Sequence, residues 1–466
     1  MKLTKYVGQV VNLRRVGNPP SDICDRPVSA GYQPARRIPS CPTLTLISIS
    51  FLLIQALSAQ PMTHLTLAEA QRLAIQNNPQ FSAAKFNAAA AYQVPSQYKA
   101  AFQPNMFGSF TGVGADNGSR LAAGALNNPV VYDRVGSGLS VSQMITDFGR
   151  TSNLVATAKL RAESQDQVTE TTRAQILLTT SRAYFNLLRA QAVLKVANQT
   201  VEARQLVVDQ ISALAESKMR STLDVSFAKV NLSDAKLLQV QAQSDVKSAD
   251  ADLATAMGLP GEAAFILEEE PLPAPLPDKI ADLIREAIQD RPELKDLRFQ
   301  ESADERFARA EHALYYPSVG VIGTAGVVPT GYSTIPGRYG AIGMNISIPI
   351  FSGGLFKARQ SEAELRTKAA GQNVSDLENR VARDVRVAYL NANTAADRMT
   401  LTQELLANAE QALDLAQTRF DAGLGTIVEL SQAQLNLTSA QIGNAAAKYD
   451  YQAQRVMVDY QIGALR

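Results

Sequence analysis

The chain has 466 residues, with 45 Lys and Arg set against 44 Asp and Glu. So neutral a balance offers no basic patch for nucleic acid, and the absence of Trp, with aromatics at only 6%, argues against a large aromatic-rich core. Both cysteines, Cys24 and Cys41, precede residue 60; nothing downstream can form a disulfide or a thiolate metal site.

Residues 1–40 are rich in Arg and Pro and read as unstructured. Thr43 to Leu57 is apolar and uncharged with Arg36 and Arg37 on its N-terminal flank. At about fifteen residues it is short for a membrane span and normal for the core of a signal peptide. The small residues around Ser58 and Ala59 suit cleavage there, and a retained anchor is the alternative. Cys41 lies before the apolar run, so this is no lipoprotein signal. Residues 1–59 are therefore expected to be an N-terminal extension and signal peptide, and the rest to leave the cytoplasm. No later stretch is apolar enough for a transmembrane helix.

Thr66 and Glu69 have capping-box spacing and open a short helix that ends at Asn77-Asn78-Pro79. A second helix, disturbed at Pro95, runs to Gln103-Pro104. Residues 134–142 then alternate, with Val135, Leu139 and Val141 on one face and Gly136, Gly138, Ser140 and Ser142 on the other. The run from Phe107 to Gly114 is similar, and a polar loop, 115–133, lies between them. Period two predicts two strands.

From Arg150 to Met257 there is neither Gly nor Pro. This predicts a very long helix, a tip near Ser217–Ser221 and a returning helix. The outgoing arm carries Ala183, Leu187, Ala190, Leu194, Ala197, Val201, Val208 and Ile211 in steps of three and four, with Arg204 out of character. The returning arm does the same through Val225, Ala228, Leu232, Ala235, Ala242, Val246, Ala249, Leu253 and Ala256, with Gln239 the exception, and Ala recurs every seventh residue from Ala228 to Ala256. Small residues in one whole layer let two helices approach closely, and the 3.5-residue period makes them coil. At 1.5 Å per residue the outgoing arm would be roughly 100 Å long.

A Pro-rich linker, within residues 261–278, leads into a second copy of the pattern. Ala287-Ile288-Gln289 before Pro292 answers Ala74-Ile75-Gln76 before Pro79, and Tyr316-Pro317 answers Gln103-Pro104. Strands are expected near 318–327 and 339–348. Beyond them Ala388-Tyr389 answers Ala183-Tyr184, and Gly463 answers Gly258. The two tips share Ser226 with Ser431, Asn231 with Asn436 and Leu232 with Leu437. In the later tip Gly423 and Gly425 permit the turn, and Thr426 with Glu429 has capping-box spacing; Ser221 and Asp224 hold those places in the earlier one, with an imperfect acid. The fold expected is mainly α with a small β part, duplicated over residues 60–260 and 279–466, each half being helix, strand, strand, very long helix, tip, helix.

Four strands cannot close on themselves, since membrane barrels start at eight. Either further strands come from other copies of the chain, or the apolar faces pack on helices as a soluble sheet. Export and the small polar opposite faces favour the first. Catalysis has no support: His64 and His312 are the only histidines and neither has a partner at metal-ligand spacing. Glu268-Glu269-Glu270 reads as a solvated linker, and no nucleophile elbow or P-loop is present. No cofactor, metal or catalytic residue is expected.

The duplicated order, the strand ending IPIFSGG (348–354) and the tip RFDAGLGTIVEL (419–430) resemble the outer-membrane efflux proteins, the TolC-type channel-tunnels. The resemblance covers essentially residues 63–466. It implies a homotrimer whose twelve strands form one barrel in outer-membrane lipid, and helices that form a periplasmic tunnel in a Gram-negative-type envelope. It implies a passive exit duct, for efflux or type I secretion, opened by docking onto a periplasmic adaptor and an inner-membrane pump. The adaptor contacts fall on Ala422, Gly423 and Leu424, and on Ser217, Lys218 and Met219 in the first half. Phe420 stands where the family often has a gating Tyr, so a hydroxyl hydrogen bond is lost. The constriction acids fall on Asp224 and Glu429, the next acid position holds Gln432, and a gating Arg position holds Gly425. Asp224 and Glu429 are also where a capping box puts its acid. The alternative is an exported non-pore coiled-coil scaffold or a periplasmic adaptor, although an adaptor normally has one hairpin and not two.

Overall fold

A computed structural model describes residues 64–114, 116, 134–260, 264–277, 279–329 and 337–465, all within the unit Gln60–Arg466. The expected signal segment, both cysteines and nearly all of the 115–133 loop lie outside those residues.

The first half runs β1 (His64–Leu65), α1 (Leu67–Asn77), α2 (Pro79–Ala91), α3 (Val94–Lys99), a 3-10 turn at Ala100–Phe102, β2 (Asn105–Val113), β3 (Arg134–Thr146), α4 (Arg150–Glu216) and α5 (Thr222–Ala256). After β4 (Ile266–Leu267) the second runs α6 (Ile280–Asp290), α7 (Pro292–His312), a 3-10 turn at Ala313–Tyr315, β5 (Ser318–Val327), β6 (Arg338–Ser347), α8 (Leu355–Asp421) and α9 (Ile427–Ile462). The breaks follow from local chemistry. Thr66 Oγ1 accepts from the Glu69 amide, and the Glu69 carboxylate accepts from the Thr66 amide, each at 3.2 Å, which starts α1. Asn78 Oδ1 accepts from the Gln80 amide at 2.8 Å, and Pro79, at the first helical position, has no amide to leave unpaired.

The halves correspond at the level of single backbone angles. α1 and α6 stand 213 residues apart at both ends (280 − 67 and 290 − 77), and α4 and α8 stand 205 apart at both ends (355 − 150 and 421 − 216). Among the described residues every left-handed backbone position falls into a pair at the second offset: Phe148 with Gly353, Gly149 with Gly354, Lys218 with Gly423, and Gly258 with Gly463. The chain turns in the same places twice, even where the second glycine is answered by Phe or Lys.

β2, β3, β5 and β6 form one antiparallel sheet in that order. Residues directly opposite share a face, so the register settles which face each side chain takes. Met106, Phe110, Val135, Leu139, Val141, Val319, Val321, Ile342, Met344 and Ile346 fall on one face. Ser109, Thr111, Ser140, Ser142, Thr324, Asn345 and Ser347 fall on the other, which is mostly small and polar but also carries Phe107 and Ile322. On that polar face Ser109, Gly138, Gly326 and Tyr339 form one row, and the Tyr339 ring lies over the two glycines, where any Cβ would collide with it. The apolar face is not covered by helices: Ile342 is 84% exposed and Phe110 78%. A soluble sheet packed on its own helices is therefore not what this chain builds.

The helical core has two equivalent centres. Ala70, Ala74, Tyr184, Leu187, Leu253 and Met257 pack α1 against α4 and α5. Leu283, Ala287, Val381, Val385, Val458 and Ile462 pack α6 against α8 and α9. The seven-residue alanine layer is buried in both hairpins, through Ala228, Ala235, Ala242 and Ala249 and then Ala433, Ala440 and Ala447. At 67 residues each, α4 and α8 are about 100 Å long.

Of the acids expected to be solvated, Glu268 and Glu269 are indeed exposed, yet the segment also binds the halves together. β4 pairs in parallel with β1, and the Tyr184 hydroxyl lies 2.9 Å from Leu65 O and 2.7 Å from Glu268 O. Glu269 accepts from Lys448 Nζ at 2.7 Å and from the Tyr449 hydroxyl at 3.2 Å. Burial and the Glu269 charge push the Tyr449 phenol up to about 12, while Lys448 holds the Glu269 carboxyl below its usual range. Glu270 accepts from the Leu67 amide at 3.1 Å through its carboxylate and from Gln452 Nε2 at 2.9 Å through its carbonyl. Sequence pattern missed this strap because its partners lie far off along the chain.

Gly258 ends α5 with φ +69°, and a Cβ there would lie 2.9 Å from Asn77 O. Gly258→Ala is expected to lower stability by about 1–3 kcal/mol. Gly443→Ala, whose methyl meets open space on α9, is expected to be neutral or to add up to about 1 kcal/mol. A denaturant titration of helical circular dichroism compares the two; equal stabilities would mean the α5 terminus relaxes freely.

Candidate functional site

Both long hairpins reverse through the same hydrogen-bonded turn. At the end of α4 the Met219 amide donates to Leu214 O at 2.8 Å and the Lys218 amide to Ala215 O at 3.0 Å. At the end of α8 the Leu424 amide donates to Arg419 O at 2.8 Å and the Gly423 amide to Phe420 O at 3.1 Å. These are paired Schellman closures, which require one left-handed residue. Gly423 supplies it with φ +74°, whereas Lys218 takes φ +60° despite its side chain. Gly425 serves differently: a Cβ there would sit 3.1 Å from Phe420 N, so a larger residue would need the turn to give by a few tenths of an ångström.

The turns present their apolar residues to solvent. Met219 is 72% exposed and Leu424 75%; Ser217, Lys218, Ala422 and Gly423 around them are exposed as well. Leu223 and Val230 continue the stripe on α5, as Val428 and Leu435 do on α9.

The acids exchange the roles their residue types suggest. The imperfect acid Asp224 closes a complete box: the Ser221 amide donates to Asp224 Oδ2 at 3.2 Å, and the Leu223 amide to Ser221 Oγ at 3.1 Å. Glu429, the acid the motif prefers, makes only half of one. Its amide donates to Thr426 Oγ1 at 3.2 Å, but its carboxylate turns to Arg419 Nε, 3.2 Å away. The expected second capping box is thus corrected to an ion pair across the turn, because Arg419 in the last turn of α8 offers a charge where the Thr426 amide offers only a dipole. Gln432 is exposed and donates to Asn436 Oδ1 at 2.9 Å.

Phe420 is buried with Val207, Val208, Ile211, Ala228, Leu232, Ile427 and Leu430, a cluster drawn from both hairpins. The Arg220 guanidinium, from the first turn, lies over its ring at 4.5 Å, a cation–π contact. Phe420 thus retains a role in tying the two tips together without a hydroxyl. Further up, Arg204 is buried on α4 and donates to Gln434 Oε1 and, at 3.4 Å, to Ser431 O on α9. Loss of water lowers its pKa, with Asp234 opposing the shift. Asn231 Nδ2 donates to Ser431 Oγ at 2.8 Å, and the Thr200 and Thr438 hydroxyls lie 3.4 Å apart. A groove of about 410 Å³ runs along this seam, lined by Arg204, Phe227, Asn231, Asp234, Val428 and Leu435 among others. Arg204 was visible in the sequence as a charge at a core position. Arg220 and Arg419 carried no such signal.

Among the described residues no group of acids, histidines and cysteines could hold a metal ion, and no helix is long and apolar enough to cross a membrane.

The comparisons with known proteins concern nearly the whole described chain. It is 24% identical to the outer membrane protein TolC of Salmonella enteritidis over 421 residues, spanning 86% of this chain and 83% of the relative. It is 25% identical to the alkaline protease secretion protein AprF of Pseudomonas aeruginosa over 405 residues, or 83% and 82% of the two chains. The fold is shared with the outer membrane protein VceC of Vibrio cholerae, at a TM-score of 0.72 and 20% identity over 85% of this chain and 96% of that one. The outer-membrane channel OprN matches at 0.73 and 19% over 85% and 89%. Residues 70–259 and 283–464 match the family described as outer membrane efflux protein. With both hairpin halves accounted for, the chain belongs to the outer membrane efflux protein family and is an outer-membrane protein of TolC type.

Proposed function

We propose that three copies of this chain form one exit duct, twelve strands making a barrel in the outer membrane and twelve long helices a tunnel below it. The observation that carries this reading is the sheet. Its apolar face is open to solvent, and β2 and β6 each pair on one side only among the described residues. Backbone groups cannot stay unpaired in hydrocarbon, so a sheet there must close. Four strands cannot close but twelve can. Strands of 9 to 13 residues are long enough to cross a bilayer when tilted. The duplicated halves, residues 60–260 and 279–466 about the linker 261–278, supply two hairpins per copy. As an outer membrane efflux protein the chain is an exit duct rather than a pump, and it carries no cofactor in this scheme.

Its partners in this proposal are a periplasmic adaptor and an inner-membrane pump. The adaptor contacts are Ser217, Lys218, Met219, Ala422, Gly423 and Leu424, where apolar side chains stand exposed at free turns. The constriction is formed by Asp224, Glu429 and Gln432 with Phe420 behind them. A scaffold or an adaptor would have no use for a sheet with an uncovered apolar face.

Fractionation tests the assembly: the protein should stay with outer membranes through alkaline washing and, in detergent, have the mass of three chains. Recovery as a soluble single chain would overturn the reading. Leu424→Glu is expected to reduce export at least about tenfold while trimers persist, since a charge in an apolar contact costs several kcal/mol; normal export would count against docking at this turn. Glu429→Gln is expected to weaken cation over anion preference in planar-bilayer recordings, as removal of a charged ring does. Unchanged selectivity would leave Glu429 only as the partner of Arg419.

A further inference from the structure

A shallow groove of about 730 Å³ crosses all four strands of the sheet. Its walls are two successive rows of the apolar face. Phe110, Ser137, Val327 and Arg338 form one, and Gly108, Leu139 and Ala325 the other. The row between them, from Ser109 to Tyr339, points its side chains to the opposite face and gives the groove a backbone floor. Gly108 and Ala325 keep one wall low, so the hollow comes from their small size.

The groove ends at an isolated charge. β2, β3, β5 and β6 contain no acid and two arginines, Arg134 and Arg338. Arg134 stands opposite Val113 and falls on the other face by register. Arg338 is therefore the one charge on the apolar face of the strands, and it is exposed on the edge strand β6. It also lies at a definite height. The turns from β2 to β3 and from β5 to β6 are at its end of the sheet, and α4 and α8 leave from the other. With the helices in the periplasm, Arg338 is on the outer side. The 10 residues of β6, tilted as barrel strands are, rise about 24 Å, which matches an apolar band of about 25 Å. Arg338, the first of them, stands at the outer boundary of that band, where a lipid-facing Arg costs far less than at the midplane.

A cation at one end of an apolar trough fits a molecule that is phosphate at one end and hydrocarbon at the other. A free phosphate has no use for the trough, and an uncharged chain has no use for Arg338. The guanidinium fork suits phosphate oxygens in particular. Resting on the barrel reading above, we propose that the groove binds one lipid of the outer leaflet through an anionic phosphate. Its phosphate lies on Arg338 and an acyl chain runs past Val327 and Leu139, once in each copy of the chain.

Because the chain has no Trp, one introduced indole can report on the groove. Full-length Phe110→Trp, and Leu139→Trp from the facing wall, are reconstituted in dioleoylphosphatidylcholine vesicles. Each vesicle set carries the same fraction of either dibrominated phosphatidylglycerol or dibrominated phosphatidylcholine, whose bromines quench an indole on contact. At about 0.15 M NaCl, which screens diffuse attraction, the anionic lipid is expected to quench both reporters at least about twofold more strongly. Adding Arg338→Gln should bring the two lipids to parity. Ile342→Trp, on the same face nearer the membrane centre, should be quenched equally by both. Equal quenching at Phe110→Trp and Leu139→Trp, or a preference that survives Arg338→Gln, would overturn the proposal. So would loss of the preference to inorganic phosphate at constant ionic strength, which would mark a site for a free anion. If neither lipid quenches Ile342→Trp, the apolar face is not in the bilayer and the barrel reading itself fails.

Discussion

An amide or carbonyl left unpaired in hydrocarbon costs several kcal/mol, and each open edge of a strand presents a whole row of them. β2 and β6 are such edges, on a sheet whose apolar face already stands uncovered. Burying that face in lipid while leaving the edges open would be ruinous, and covering it with the chain's own helices is not what the chain does. Pairing edge to edge with identical neighbours satisfies both demands at once. The rest of the molecule is consistent with that solution: the long helices leave the sheet in pairs, one pair for each half, so a ring of strands is continued by a ring of hairpins.

Duplication makes the ring easy to build and also makes it uneven. The same turn is used twice, but Gly423 fits the left-handed position freely while Lys218 occupies it at a cost of roughly 1 kcal/mol. The same cap position is used twice, yet Asp224 serves its helix and Glu429 serves Arg419. Arg220 and Arg204 have no counterpart in the second half. Two halves that turn at matching positions thus differ in the side chains that stand at their tips.

The strap formed by Glu268, Glu269 and Glu270 has a related function higher up. It crosses from the linker to α9 and α1, and Tyr184 closes it from α4. Four elements distant in the chain are fastened at one level of the helical body, far from the tips of the 67-residue helices.

Much of this was legible in the residues. The absence of Gly and Pro between Arg150 and Met257 dictates helix broken only at the tip near Ser217–Ser221, since no other residues break one so readily. The seven-residue alanine layer dictates a close-packed hairpin, and strict alternation dictates the strands and their faces. The repeats announced that all of this happens twice. What pattern could not reach was everything decided by residues brought together from far apart: the Arg419 that draws Glu429 away from its cap, the Arg220 that covers Phe420, the acceptors that make a buried Arg204 tolerable, and the strap. Local periodicity is a property of one helix or strand and can be read along the chain. The partner a charged side chain chooses depends on which other helix passes within about 3 Å of it, and only the folded arrangement of the two hairpins settles that.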